Sequence, residues 1–179
     1  MPEAATSPFP AAFHESGGFR LEVRPAGHIL QALSRGFRAD LSARLAAIAE
    51  PAPFAVRRAG PDTWFIVGEA ELSAAELGRR GAELADVAWL VDQTHGRCRL
   101  IASGPDSARR LAGGIGADLS PRSFSVGAAT ESQYGGIGLH LARTAPDCFE
   151  ILVGRSFAAS LWGELASFPQ CADSGSSGM

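Results

Sequence analysis

Lysine and asparagine are both absent from this 179-residue chain, so all 16 of its basic residues are arginines. Without a lysine amine, Schiff-base catalysis and the phosphate-contacting lysine of a P-loop are excluded. Cysteine is sparse: Cys98, Cys148 and Cys171 are odd in number and far apart, which gives neither a zinc knuckle nor a disulfide framework and fits a reducing cytoplasm. The N-terminal residues lack the charged start and apolar run of a signal peptide, and no apolar stretch has the length of a membrane span. A surplus of one charge sign is missing too. The 16 basic and 19 acidic residues leave a net charge of −3, so no basic footprint for nucleic acid or an anionic membrane is expected. What remains is 46% hydrophobic, enough for one domain with a core of its own.

Residues 1–18 are rich in Pro, Ala, Ser and Gly and read as an N-terminal arm with Phe9 and Phe13 as its apolar anchors; 169–179 read as a flexible tail. Between them lies a domain over 19–168. FRLEVR (19–24) has the alternation of a strand, and PAGHILQALSRGF (25–37) carries Ile29, Leu30 and Leu33 at helical spacing with Gly36 as a stop. ADLSARLAAIAE continues as an amphipathic helix up to Pro51 and Pro53. FAVRR (54–58) and TWFIVG (63–68) flank AGPD, a hairpin signal. Ser73 and Glu76 have the spacing of a capping box ahead of a helix to 84. VAWLV (87–91) and RCRLIAS (97–103) read as strands around a turn, and PDSARRLAGG (105–114) as a helix with a glycine stop.

Two echoes suggest a duplication. RRAGPDTWFIVG (57–68) parallels ARTAPDCFEILVG (142–154), and FRLEVRPAGHILQALSRG (19–36) parallels CRLIASGPDSARRLAGG (98–114). The reading is an α+β fold made of two β-α-β-β-α units, about 19–84 and 85–168, packed as one pseudo-symmetric domain.

Among polar residues, Ser156 stands just before Phe157, Leu161 and Leu165, which recur every four residues, so it is expected to cap that helix. Arg155 is open to pairing inside the domain or to reaching a partner. His140 alternates with Leu139 and Leu141 and is expected on the solvent or interface face of its strand. His95 falls in a turn facing water, and Asp92 with Thr94 should bond turn backbone. Gly113-Gly114 and Gly135-Gly136 read as stops and turns, and Cys98 as a small core hydrophobe. No catalytic, cofactor or metal constellation emerges. The candidate interface residues are Phe9, Phe13, His140 and Arg155.

The run ADLSPRSFSVGAATESQYGGIGLHLARTAPDCFEILVGRSFAASLWGEL (117–165) resembles the C-terminal signature of the gamma subunit of heterotetrameric sarcosine oxidase, above all in its closing R-S-F-A-x-S-L-W. PDTWFIVG and DQTHGRCRLIASGPDSARRLAGG resemble earlier segments of the same family, so the likeness covers 54–166 well and the first 50 residues loosely. The family is itself similar to the folate-binding T-protein of glycine cleavage, whose motif aligns with Asp92, Thr94, Gly96, Arg97, Gly104 and Asp106. The resemblance implies a T-protein-like fold and a non-catalytic, cytoplasmic subunit of an enzyme that oxidatively demethylates sarcosine to glycine. It implies alpha, beta and delta subunits as partners, and FAD, FMN, NAD, zinc and tetrahydrofolate on those partners with none on this chain. Where the T-protein carries an Asn-Glu…Gly-Gly…Asp-Asp run, this chain has Thr130-Glu131…Gly135-Gly136 and no Asp, which argues against folate chemistry here. The alternatives are a stand-alone folate-binding or aminomethyltransferase-like protein, and the equivalent subunit of an N-methylglutamate dehydrogenase complex.

Overall fold

The computed structural model describes residues 9–25, 27–36, 41–49 and 54–167. In chain order the elements are β1 (Phe13–Ser16), β2 (Phe19–Arg24), β3 (His28–Ser34), α1 (Leu41–Ala49), β4 (Phe54–Arg58), β5 (Thr63–Gly68), α2 (Ala74–Glu83), β6 (Ala88–Asp92), β7 (Arg97–Ser103), α3 (Ser107–Ala112), β8 (Ala129–Tyr134), β9 (Ile137–Ala145), β10 (Cys148–Gly154) and α4 (Ala158–Ala166), with a 3-10 turn at Arg155–Phe157 leading into α4. The strands form two antiparallel sheets, one ordered β1-β2-β7-β10-β9-β8 and the other β4-β5-β3-β6.

Alternation in the strands decides what each sheet face touches. In the larger sheet Phe19 and Leu21, Cys98, Leu100 and Ala102, Leu139 and Leu141, and Phe149, Ile151 and Val153 share a core with Leu111 of α3 and Ala158, Leu161, Trp162 and Leu165 of α4. In the smaller sheet Leu30, Ala32, Trp64, Ile66 and Ala88 pack on Leu41, Leu45 and Ala49 of α1. The opposite faces of the two sheets meet in a third, small cluster, where Ile29, Ala59, Phe65 and Val67 of one sheet touch Leu152 of the other. The result is a helix–sheet–sheet–helix sandwich. Its outer interfaces are mainly apolar, with Arg110 and Arg143 buried over the rings of Phe19 and Phe149, and its middle one holds the ion-paired cluster.

Several sequence expectations hold. The 54–58/63–68 hairpin forms, with Ala59 and Gly60 N–H donating to the Thr63 carbonyl at 2.9 and 3.1 Å. The capping box is complete: Glu76 N–H donates to Ser73 Oγ at 3.3 Å, and the Glu76 carboxylate accepts from Ser73 N–H at 2.8 Å. Gly135 and Gly136, at φ +54° and +85°, make the two-residue β8–β9 turn, a conformation that favours glycine.

Others are corrected. Residues 28–34 are a strand, not a helix. β3 is paired on both sides, with β5 and β6, and its faces are covered by the α1 core and by the second sheet. A strand covered on both faces loses the polar alternation that would identify it, and Ile29, Leu30 and Leu33 then mimic helical spacing. The echo between 19–36 and 98–114 therefore does not carry over, since β3 is a strand where α3 is a helix. The echo between 57–68 and 142–154 falls on two hairpins, β4–β5 and β9–β10. β6 and β7 do flank the expected turn, where Gly96 and Arg97 N–H donate to the Gln93 carbonyl at 3.0 Å, but the two strands belong to different sheets and do not pair.

Ser156 is not a cap. The chain enters α4 through the 3-10 turn, so the first α-helical residue is Ala158, the residue before it is Phe157, and no side chain caps either start. Replacing Ser73 by Ala is thus expected to cost about 1 kcal/mol, while Ser156→Ala should stay within about 0.5 kcal/mol of the parent. Urea denaturation of the two variants measures the contrast, and equal losses would contradict it.

Of the stretch read as an arm, 1–8 lie outside the described residues. Phe9 is buried in the core with its ring centroid 5.5 Å from that of Trp162, and Phe13–Ser16 pairs with β2. The tail at 169–179 also lies outside the described residues.

Candidate functional site

Charge collects in the layer between the sheets because several strands place an ionisable residue on the face opposite their apolar one. In β10, between Phe149 and Ile151, Glu150 points the other way and is 1% exposed. Arg99 of β7 clamps its carboxylate with Nε at 2.8 Å and Nη2 at 2.7 Å, and Arg57 of β4 approaches the second oxygen at 3.5 Å. Both Arg99 bonds fall on Oε2, which makes it a short, charge-assisted contact, while Oε1 is left to the longer approach of Arg57. Glu69, at the end of β5, sits at the rim, 3.1 Å from Arg24 and 3.6 Å from Arg99. These groups line a cleft of about 410 Å³ whose walls include Ala55, Val67 and Ile101.

His140 lies in the same layer. It was expected on a solvent or interface face; it is 1% exposed, because the second sheet covers that face of β9. Its ring meets Phe65 edge-on at 5.1 Å, and Nε2 lies 3.1 Å from the Arg58 carbonyl. A carbonyl only accepts, so Nε2 carries the proton, and Nδ1 is buried without a partner. Burial pushes the His140 pKa down, against the upward pull of the Arg58 carbonyl and of Glu150 and with the help of Arg97 and Arg57. The folded-state pKa is then below the unfolded one, so the unfolded chain takes up the proton first and stability falls as pH drops below about 6.5. Melting temperatures between pH 7.5 and pH 5.5 should fall more steeply for the parent than for a His140→Gln variant. Identical slopes would contradict the neutral buried imidazole.

The residues of the T-protein-like motif do not converge. Asp92 Oδ1 accepts from Thr94 N–H at 2.9 Å and from Thr94 Oγ1 at 2.6 Å, while Thr94 Oγ1 accepts from Ile29 N–H at 3.0 Å. This is the backbone-bonding turn expected of them; burial pushes the Asp92 carboxyl up, but the Thr94 hydroxyl and Thr94 N–H together outweigh it and hold the group below the usual range. Gly104 and Asp106 lie at the far end of β7, about 20 Å along the strand. Asp106 binds Arg109 rather than capping α3. Arg97 crosses the Phe65 ring at 4.6 Å and faces a second cleft beside Glu131. His95 is exposed, as expected. Cys98 is buried and its thiol is pushed up by burial, in keeping with a packing role.

Of the candidate interface residues, Phe9 is withdrawn into the core, whereas Phe13 is half exposed under the Arg20 guanidinium. Arg155 is exposed; its Nε donates to the His95 carbonyl at 2.8 Å and its N–H to the Gly96 carbonyl at 2.9 Å, which ties the start of the 3-10 turn to the β6–β7 connection. The Arg57, Arg99 and Glu150 cluster was missed in the sequence. Its signal was present, namely a charge at an alternate position inside CFEILVG and RCRLIAS, but its partner strand could not be known. Among the described residues no group of three His, Cys, Asp or Glu side chains could hold a metal ion, and no helix is long and apolar enough to cross a membrane.

Comparison with known proteins matches residues 26–168 to the family described as sarcosine oxidase, gamma subunit. The chain is similar to a chain in the structure of heterotetrameric sarcosine oxidase from Corynebacterium sp. U-96 in complex with pyrrole 2-carboxylate. That likeness has 25% identity and a TM-score of 0.68, over 89% of this chain and 91% of the other. It is also similar to the glycine cleavage system aminomethyltransferase T from Bartonella henselae, at 15% identity and a TM-score of 0.54, over 78% of this chain and 43% of that one. No match is found among curated proteins.

Proposed function

The chain belongs to the sarcosine oxidase gamma subunit family, and we propose that it acts as the gamma subunit of a heterotetrameric sarcosine oxidase, contributing structure while the other subunits oxidise the substrate. The observation that carries this reading is the likeness to a chain of the Corynebacterium enzyme over nearly the whole length of both. On this reading alpha, beta and delta subunits are the partners, and FAD, FMN, NAD, zinc and tetrahydrofolate reside on them. The compartment is the cytoplasm.

The charged residues of the described chain support a structural role. Several buried ones hold one another or carbonyls: Glu150 with Arg99 and Arg57, Arg143 with the carbonyls of Leu119 and Phe124 at 3.1 and 2.9 Å, and Arg110 with the carbonyl of Ser16 at 3.0 Å. Half-exposed Phe13, Trp89 and Phe157 provide apolar surface of the kind that subunit contacts use. The likeness to the aminomethyltransferase is one of fold, and the scattered motif residues give folate no common site.

A tag on this chain, co-expressed with the other subunits, should retain them and give an eluate with flavin absorbance, whereas the chain purified alone should be colourless and show no saturable tetrahydrofolate binding. A colourless eluate from the co-expression, or saturable folate binding by the isolated chain, would contradict the proposal.

A further inference from the structure

We propose that the cleft between the two sheets binds the carboxylate of a small organic acid through Arg57 and Arg99. Arg57 is held by one long ion pair, Nε to Glu150 at 3.5 Å, and among the described residues its Nη ends make no hydrogen bond. Nη1 of Arg99 is buried without a hydrogen-bond partner, 3.6 Å from Glu69. Guanidinium donors left unused in a concave site are the groups that recognise a planar oxyanion. Glu150 stands behind both arginines and fixes the Arg99 fork, so the donors are oriented before any ligand arrives.

Charge selects among anions. Two guanidiniums share the single Glu150 carboxylate at the inner end, which leaves one positive charge there, while Glu69 at the rim is balanced by Arg24 at 3.1 Å. A monoanion neutralises that surplus; a phosphate dianion would exceed it. The cleft, about 410 Å³ with Ala55, Val67 and Ile101 along its walls, has room and apolar surface for a short aliphatic chain on the carboxylate. This inference does not depend on assembly with other subunits.

The test is calorimetric titration of the full chain with sodium propionate, sodium phosphate and sodium chloride at matched ionic strength. Saturable 1:1 binding of propionate is expected, tighter than that of phosphate and absent for chloride, and Arg57→Gln should weaken it about tenfold or more. Arg79→Gln, which removes an exposed helix pair with Glu83, should leave it unchanged. If Arg57→Gln does not fold, Ala55→Leu, which narrows the cleft from its apolar wall, should abolish binding in its place. Lack of saturable propionate binding, phosphate binding as tightly as propionate, or binding indifferent to the cleft variant would each overturn the proposal.

Discussion

Glu150→Ala is expected to lower stability by about 3–5 kcal/mol, the cost of leaving buried charges uncompensated. The Glu150 side chain is 2% exposed, and its partners Arg99 and Arg57 are 12% and 19% exposed, so neither guanidinium can turn fully to water when the carboxylate is lost. Glu150→Gln keeps the shape and one acceptor and should cost less. The decisive contrast is a triple variant, Arg57→Met, Arg99→Met and Glu150→Leu. Removing all three charges together should recover most of the stability that Glu150→Ala loses, because an apolar replacement of a whole buried cluster is often near neutral. Urea denaturation followed by circular dichroism reads all three. A Glu150→Ala protein within about 0.5 kcal/mol of the parent, the range of ordinary surface changes, would show that the cluster is solvated and not the charged centre described here.

Gly104→Ala should be comparably damaging, for a backbone reason. Gly104 has φ +101°, a region that side chains with a Cβ rarely adopt. A Cβ there would lie far inside van der Waals contact with the Gly18 carbonyl oxygen and 3.1 Å from the Gly18 carbon. The close approach has a purpose: Gly104 N–H donates to the Asp147 carbonyl at 2.9 Å, and Asp106 N–H to the Gly18 carbonyl at 2.9 Å. Three connections, β1–β2, β7–α3 and β9–β10, are thereby joined at one end of the larger sheet. Strain and clash together should cost on the order of 3 kcal/mol or more, seen as a large drop in melting temperature or as insoluble protein. Gly116→Ala, where a Cβ meets nothing within 4 Å, is the control. If Gly104→Ala melts like that control, the glycine is serving something other than this junction.

Gly104 also shows what the sequence could and could not reveal. It aligns with a motif of the folate-binding T-protein, yet contacts far apart in sequence explain it without a ligand. Strands with one apolar and one polar face, such as FRLEVR and RCRLIAS, were legible from alternation, and the α2 start from Ser73 and Glu76. β3 was not, because both of its faces are covered. His140 was placed on the correct side of its strand relative to Leu139 and Leu141, but that side turned out to be the buried inter-sheet layer; nothing local tells a strand that a second sheet lies over it. Ser156 was misread because the helix begins one short 3-10 turn later than its apolar spacing implies. The closing R-S-F-A-x-S-L-W run was informative as a signature of family even though its Arg-Ser pair is neither a cap nor a catalytic site.

Native mass spectrometry of the co-expressed complex tests the account most directly. With the other three chains of a sarcosine oxidase present, this chain should occur once in an assembly of four different chains, and its loss on gentle dissociation should lower the mass by 18.6 kDa. An intact, active assembly whose mass excludes this chain, with the chain recovered free beside it, would contradict its place as the gamma subunit.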